Sequence, residues 1–492
     1  MIENITKIND AVNGFVWGLP MLILLVGTGI LMTCLTKFFQ ISHIGHWFKN
    51  TIGGIFTDKH ITKHTEKSDR SISQFQSLCT ALAATIGTGN IVGVATALIS
   101  GGPGAIFWMW IVAFFGMMTN YSENVLGIFY RRKNEKGEWC GGAMYYLRDG
   151  LGTKKGCKHI GAVLAFLFSC FCLLASFGIG NMSQINSIAG NMKSAFNIPY
   201  LATGIFLMIV AALVIVGGLK RIASVTEKLV PFMAVIYIIG AIVVCIINID
   251  QFGAVFSCIF RGAFGLKAVG GGLVGSGVKM ALTWGMKRGV FSNEAGLGSS
   301  VMVHSNSNVK EPVRQGMWGI FEVFADTIVV CTLTAFVVLS SGLVDLTTGE
   351  VLSTAEGSAL VGTAFATVFG KAGPAFIAVA LLMFAFSTVL GWSHYGSKAW
   401  EYLFGSKSTV IYKVIFVVFI LFGATMNLSL AWDLSDTFNG LMALPNLIGV
   451  ICLSPIVFKI TKNYIQRILK GKDIKPMLSA HEDIQAEQEK DL

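Results

Sequence analysis

Apolar runs of about 20 residues recur along almost the whole chain, and they constrain its fold more than any other feature. As a helix, a run of that length spans the roughly 30 Å hydrocarbon core of a bilayer. The composition agrees: 53% of the 492 residues are hydrophobic and 13% are charged, whereas a soluble domain carries about 25% charged residues. The sequence therefore predicts an all-α polytopic membrane protein.

Eleven spans fit these runs, and the basic residues indicate their direction. Lys and Arg collect on the cytoplasmic side of membrane proteins, and 31 of the 37 Lys and Arg residues lie in or near alternate turns between spans or in the tail. This predicts an outside N-terminus, a cytoplasmic C-terminus and a location in the plasma membrane of a prokaryote. The spans are predicted at residues 15–36, 72–99, 104–130, 159–189, 198–218, 225–248, 272–304, 313–341, 373–400, 409–426 and 432–459.

The charge and the two ends of the chain add further limits. The net charge of +10 does not indicate a nucleic-acid partner, because the basic residues lie between the spans. The first apolar run is too long for a signal-peptide core and lacks a basic segment before it, so it is predicted to be retained. The tail, residues 461–492, is basic and then acidic, and is predicted to be solvated and partly disordered.

Helix-weakening residues interrupt the second span at its centre. The stretch AATIGTGNIVG, residues 83–93, contains Gly87, Thr88, Gly89 and Asn90, and glycine disfavours a helix by about 1 kcal/mol relative to alanine. Close packing against another helix is one explanation. A dinucleotide-binding loop is excluded, since no strand precedes the glycines and no acidic residue follows at the required distance. The third explanation is a discontinuous helix, which builds ion and substrate sites in secondary transporters.

A second interruption follows five spans later, in a span that runs in the opposite direction. The run GMKRGVFSNEAGLGSS, residues 285–300, has four glycines among Ser292, Asn293 and Glu294. GGGLVGSG, residues 270–277, is an alternative location for this break. Two non-identical breaks in one chain favour a carrier over a channel. An enzyme is disfavoured, because HExxH and GxSxG motifs are lacking and the two intramembrane histidines are isolated in the sequence.

These segments also carry a family resemblance. Residues 87–110 and 288–300, the WGLP and TGILMT segments of the first span, and residues 311–327 and 386–396 are similar to the alanine/glycine:cation symporter family. The resemblance covers nearly the whole chain. It implies a LeuT-type fold, with a five-plus-five inverted repeat and one extra N-terminal helix. It also implies sodium-driven, sometimes proton-driven, uptake of small neutral amino acids. Alanine and glycine are the first candidate substrates, and serine and glutamine are the alternatives.

The same resemblance divides the chain into four parts. Residues 1–70 would hold the N-terminus, the first span and a basic loop, 71–250 the first repeat, 251–460 the second repeat, and 461–492 the tail. The implied coupling ion is sodium, with a proton as the alternative. The implied partners are an amino-acid substrate and the lipid bilayer.

We expect the substrate to bind at the two breaks. Backbone N–H groups around Gly87, Thr88, Gly89 and Asn90 lie beside a half-helix N-terminus and are predicted to hold the substrate carboxylate. Gln184 in span 4 is predicted to hydrogen-bond the substrate, with a bond between helices as the alternative. Further pocket residues are predicted to be Phe291, Ser292, Asn293 and Trp392, and a packing or lipid-facing role stays open for the tryptophan.

A sodium site is expected just before the first break. The carbonyl oxygens near Ala83, Ala84 and Ile86 are predicted to face the ion. In the LeuT-type arrangement the helix that corresponds to span 9 supplies hydroxyl groups to a sodium ion, which implies Ser387 and Thr388 as ligands. Hydrogen bonds from these hydroxyls to their own helix are the alternative.

Acidic residues inside spans are functional candidates by default. Glu322 and Asp326 stand four residues apart and are predicted to share one face of span 8. Asp326 is predicted either to carry a coupling proton or to pair with Arg288 in a gate, and a purely structural ion pair is the alternative. The same alternatives, a coupling or gating role and a structural ion pair, apply to Glu294, which is predicted to lie nearer the cytoplasm.

Overall fold

The chain folds almost entirely into helices. The computed structural model describes residues 2–65, 70–154, 156–265, 273–426 and 429–490, and a helix lies at each of the eleven predicted positions. Eight of the described helices are long and apolar enough to cross a membrane, and a bent helix pair makes a ninth. Tyr200–Ile215 is apolar but shorter, so the count of eleven spans stays a prediction.

Several of the spans are interrupted by breaks or by π-helical turns, which carry one extra residue per turn. In chain order the spans are Leu19–Leu35; Gln74–Thr85, Gly89–Gly93 (π) and Val94–Gly101; Gly104–Phe129; Lys158–Phe177, Gly178–Met182 (π) and Ser183–Phe196; Tyr200–Ile215; Gly218–Ile247; Leu273–Asn293 and Val301–His304; Pro312–Val323, Phe324–Cys331 (π) and Thr332–Ser340; Ala372–Phe404; Thr409–Thr425; and Ser429–Tyr464 with Ile465–Leu469 (π).

Shorter elements connect the spans. Two short strands form an antiparallel hairpin in which Arg132 pairs with Cys140. The remaining elements are helices Ile2–Val16, Phe39–Ser42, Ile44–Asn50, Ile52–Thr57, Lys59–Thr62, Ala143–Tyr145, Tyr146–Gly150 (π), Ile249–Gln251 (3-10), Phe252–Phe264, Gly357–Phe369, Ser406–Ser408 (3-10) and Glu482–Glu489, and strands Arg132–Lys133 and Trp139–Cys140.

The spans divide into an enclosed group and an outer group. The apolar windows of spans 3, 8 and 9 are each 67% buried inside the protein, whereas that of span 10 is 28% buried. Outer spans expose large apolar side chains such as Phe206, Phe232 and Phe422. Lipid solvates such side chains as well as a protein core does. In the enclosed spans, by contrast, polar residues are buried away from water and need partners within the protein.

The structure corrects the expectation for the tail. At the other end of the chain, Ile2–Val16 forms a helix before the first span. The tail was expected to be partly disordered, yet Leu478 is fully buried and the N–H of Ala480 donates to the carbonyl of Phe129 at 2.8 Å. The tail ends in the helix Glu482–Glu489, whose Ile484 is buried. Its few apolar residues therefore suffice to attach it to the C-terminal end of span 3.

Candidate functional site

The first predicted break lies in the middle of span 2. The helix ends at Thr85, and Ile86 has an extended backbone with φ −77° and ψ 90°. The two halves of the span meet at an angle of 49°. A Cβ atom on Gly87 would lie 2.3 Å from Thr388 Oγ1, so this glycine also allows span 9 to approach the broken backbone. Both explanations of the motif, close packing and a discontinuous helix, therefore apply.

Two hydroxyl groups of span 9 converge on the carbonyl that precedes the break. Ser387 Oγ lies 3.2 Å and Thr388 Oγ1 3.1 Å from the carbonyl oxygen of Ala83. The same hydroxyls lie 2.8 and 3.1 Å from the carbonyl of Phe384 in their own helix. Each hydroxyl has one proton to donate, so its lone pairs stay available beside the break. Ala84 packs against the backbone of span 9 at Gly391.

The backbone amides at the break have internal acceptors in this conformation. Gly87 N–H donates to Asn90 Oδ1 at 3.0 Å, and Thr88 N–H donates to Gln184 Oε1 at 3.3 Å. Gln184 is anchored in turn, since its Nε2 donates to the carbonyl of Ile179 at 3.0 Å. The amide oxygen of Gln184 therefore lies where we expected a substrate carboxylate to bind.

The second break lies at residues 294–300 of span 7. The helix continues through Gly289 to Asn293 and resumes at Val301, while Glu294, Gly296 and Gly298 have positive φ angles of 56°, 91° and 71°. Gly289 instead packs against span 3, where an added Cβ would lie 2.5 Å from a Val112 methyl group. Of the alternative location, residues 270–272 lie outside the described residues, and 273–277 begin the helix Leu273–Asn293.

A buried carboxylate ties both breaks to span 8. Asp326 Oδ1 accepts hydrogen bonds from Asn90 Nδ2 at 2.6 Å and from Ser292 Oγ at 3.1 Å, and Thr327 Oγ1 donates to Asp326 Oδ2 at 2.8 Å. Asn293 Nδ2 donates to Thr327 Oγ1 at 3.1 Å. We expected Ser292 and Asn293 to face the pocket, but their side chains face span 8. The polar groups around the breaks satisfy one another there, which avoids the cost of burying them alone.

A small central cavity lies between the two breaks. Its volume is about 10 Å³, which is room for about one water molecule, so the structure shows a closed conformation. Trp392 and Glu294 form one wall, where Trp392 Nε1 donates to Glu294 Oε1 at 2.8 Å. The cavity is lined by Ala84, Thr85, Gly87, Thr88, Gly89, Ile179, Gln184, Phe291, Glu294, Thr388, Trp392 and Asn439. Asn90, Ser292 and Asn293 are not among these residues.

Sequence reasoning missed Asn439. This residue is 1% exposed, and in the described part of the chain its Oδ1 has no hydrogen-bond partner. The same holds for Thr88 Oγ1, which also lines the cavity. Buried polar atoms normally have partners, so these two are available to a bound molecule. The sequence feature that could have indicated Asn439 is an asparagine inside an apolar span, in the stretch TFNGLMALP.

Comparison with known proteins places this architecture in a family. The sodium:alanine symporter family matches residues 2–478. The chain belongs to that family. The sodium/alanine symporter AgcS of Methanococcus maripaludis is 45% identical over 455 residues, 92% of this chain and 96% of AgcS. The probable sodium/glutamine symporter GlnT of Bacillus subtilis is 36% identical over 478 residues, 96% of this chain and 94% of GlnT.

A solved structure supports the fold of this symporter. The crystal structure of MhsT in complex with L-phenylalanine matches with a TM-score of 0.53 and 13% sequence identity, and the match covers 80% of this chain and 99% of MhsT. At that identity the likeness concerns the fold alone. The predicted all-α, LeuT-type architecture is confirmed, and the chain is a transporter rather than an enzyme.

The two acidic residues of span 8 have different partners in this symporter. Glu322 Oε2 lies 3.0 Å from His304 Nε2 and 3.3 Å from Asn120 Nδ2, whereas Asp326 faces the breaks. Both carboxyl groups contact span 7, at His304 and at Ser292, and their partners differ because the two residues lie about 6 Å apart along the helix axis. His304 is therefore not isolated, and its other ring nitrogen lies 2.5 Å from Gln315 Nε2.

The expected pairing of Arg288 with Asp326 is also absent. Among the described residues Arg288 forms no salt bridge, and its guanidinium lies 5.2 and 5.5 Å from the ring centres of Trp284 and Phe291. The neighbouring Lys287 forms the ion pair instead, with its Nζ 2.5 Å from Asp436 Oδ2 of span 11. Lys287 faces span 11 because it is one residue, about 100° around the helix, from Arg288.

Proposed function

We propose that this symporter couples the entry of sodium to the uptake of alanine or glycine by alternating access. The observation that carries the proposal is the convergence at Ala83, where two hydroxyls of span 9 lie within 3.2 Å of the carbonyl oxygen that precedes a backbone break. Unwound backbone carbonyls coordinate sodium in transporters with discontinuous helices. The ligands would be the carbonyl oxygens of Ala83, Ala84 and Ile86 and the hydroxyls of Ser387 and Thr388.

The substrate would bind in the central cavity beside this ion. Its carboxylate would replace Gln184 Oε1 on the backbone amides of Thr88 and Gly89, at the start of the second half-helix. Its ammonium group would donate to Asn439 Oδ1, which has no partner among the described residues. Phe291 and Trp392 line the remaining wall.

The transport cycle requires the two halves of the chain to move relative to each other. We propose that residues 71–250 and 251–460 form the two inverted repeats, and that the N-terminus lies outside the cell and the C-terminus in the cytoplasm. The supporting observations are the breaks in spans 2 and 7, which meet at one cavity, and the asymmetric placement of basic residues. We also propose a location in the cytoplasmic membrane, since the two relatives named above come from an archaeon and a bacterium.

A proton is the alternative coupling ion, and two observations favour testing it. Glu294 is 3% exposed and lines the central cavity, and Asp326 is fully buried between the breaks. A carboxyl group buried at membrane depth is able to exchange a proton during transport. The name of GlnT keeps glutamine as the alternative substrate.

Uptake into proteoliposomes tests these assignments together. We expect labelled alanine and glycine to accumulate against their gradients when an inward sodium gradient is applied, and not with a proton gradient alone. Accumulation of glutamine but not alanine would keep the mechanism and overturn the substrate. Accumulation driven only by the proton gradient would move the coupling role to Glu294 or Asp326. Folded protein without concentrative uptake under either gradient would contradict the proposed function.

A further inference from the structure

A larger cavity lies on the side of the protein that we propose faces the cytoplasm. Its volume is about 380 Å³, within the range of pockets that bind small molecules, about 300–1,000 Å³. It lies between the start of span 6, the end of span 9, the start of span 10 and the strand hairpin. We call this cavity the basic vestibule, since its lining includes Lys136, Lys220, Lys398 and Lys413.

The acidic groups of the basic vestibule are already paired. Glu138 Oε1 lies 3.0 Å from Arg70 Nη1. Glu401 accepts a hydrogen bond from Lys398 Nζ at 2.9 Å, and another from Asn134 Nδ2 at 2.8 Å. These pairs neutralise both carboxylates of the lining, so the other lysines give the vestibule a net positive charge.

Lys413 is the ammonium group best placed to meet a ligand. It is half-buried at the start of span 10, and within the described ranges it has no hydrogen bond or ion pair. Its Nζ lies near the backbone of Gly218 at the start of span 6. A half-buried ammonium without a partner strongly favours a carboxylate or another oxyanion as its ligand.

His394 supplies an independent observation at the same cavity. It is 5% exposed, it lines the vestibule, and its Nε2 has no partner in the described structure. A neutral imidazole has one donor nitrogen and one acceptor nitrogen, so the tautomer with its proton on Nδ1 offers Nε2 as an acceptor. A buried acceptor of this kind calls for a ligand that has a proton to donate.

We propose that the basic vestibule is a second binding site for a zwitterionic α-amino acid on the proposed cytoplasmic side. The substrate carboxylate pairs with Lys413, and the ammonium group donates to His394 Nε2. A simple anion such as phosphate satisfies the lysine but has no strong donor for the histidine, so the pair of groups selects a zwitterion. This inference rests on the proposed function, because it takes the transported amino acid as the ligand.

Equilibrium binding of radiolabelled alanine to the purified full-length protein, in saturating sodium, tests the proposal. We expect two saturable components, a tight one from the central cavity and a weaker one from the vestibule. Lys413→Gln should weaken the second component about tenfold, since it removes one charged hydrogen bond, and leave the first unchanged. Lys407→Gln is the matched control, because this exposed lysine precedes the same helix and does not line the vestibule.

Charge-conserving and competing-ligand measurements separate the remaining outcomes. Lys413→Arg should retain the weaker component, which distinguishes loss of the charge from disturbed packing. Inorganic phosphate at equal concentration should compete weakly with alanine at the second component. A single alanine component in a protein with intact sodium-driven uptake would overturn the second site and leave the proposed function standing. Displacement by phosphate as strong as by alanine would overturn the choice of a zwitterion. Absence of both uptake and binding would count against the proposed function itself.

Discussion

Lys287 Nζ lies 2.5 Å from Asp436 Oδ2, and this ion pair joins span 7 to span 11 on the proposed outer side of the central cavity. Both side chains are only 13–14% exposed. The N-terminal helix reinforces the contact, because Trp17 Nε1 donates to the Asp436 carbonyl at 3.1 Å and Asn13 Nδ2 donates to Thr437 Oγ1 at 2.9 Å. The N-terminal helix thus helps to hold this side of the central cavity closed.

Removing this ion pair should destabilise the closed conformation. Loss of one partner of a buried charge pair costs about 2–5 kcal/mol, so Asp436→Asn should reduce the maximal rate of sodium-driven alanine uptake at least several-fold. Asp433→Asn is the control, since Asp433 is exposed one turn earlier on the same span and forms no salt bridge within the described residues. Equal rates for Asp436→Asn and the unchanged protein would remove the pair from the gating mechanism.

The hydroxyl of Thr388 should set the affinity for sodium. Thr388→Ala is expected to raise the sodium concentration for half-maximal uptake about tenfold, because it removes one oxygen beside the ion, and Thr388→Ser should restore it. Thr425→Ala serves as the control, as that exposed hydroxyl bonds only its own helix, at Leu421. Sodium dependence that is the same in Thr388→Ala and Thr425→Ala would contradict the assigned ion site.

The close approach at Gly87 should tolerate no side chain. A Cβ at Gly87 would lie 2.3 Å from Thr388 Oγ1, whereas the nearest atom to a Cβ at Gly93 is 4.0 Å away. We therefore expect Gly87→Ala to lose sodium-driven uptake, and Gly93→Ala to keep most of it. Binding of alanine to each purified variant in sodium shows whether the loss arises at the site. If Gly87→Ala transported normally, the spacing between spans 2 and 9 would not govern function.

The hydrogen bond between Asn90 and Asp326 should depend on which of the two side chains donates the proton. Asp326→Asn places an amide N–H₂ among three donors, from Asn90, Ser292 and Thr327. An unsatisfied buried polar group costs about 1–3 kcal/mol, so this variant should have a lower thermal midpoint and little uptake. The exchanged pair, Asn90→Asp with Asp326→Asn, restores a donor opposite an acceptor and should recover part of the stability. No recovery in the exchanged pair would show that the negative charge at position 326 itself is required.

Much of the architecture could be predicted because it depends on local sequence. Apolar runs of sufficient length gave the positions of the helices, and Gly87 and Gly89 marked the first break because glycine weakens a helix wherever it stands. Polar residues such as Gln184 and Asp326 stood out because they are costly inside an apolar span. The family match and the fold comparison bear out the transporter class inferred from these features.

Which polar group meets which was decided only by the tertiary structure. The contact between Asn90 and Asp326 joins residues 236 positions apart, and the contact between Trp392 and Glu294 joins residues 98 apart. Helical periodicity predicts Glu322 and Asp326 on one face, but it does not give their partners: Glu322 lies beside His304, whereas Asp326 accepts a hydrogen bond from Asn90. A sequence pattern records the spacing along one helix, whereas partners across helices depend on rotation and depth, which are set only when all the spans pack together.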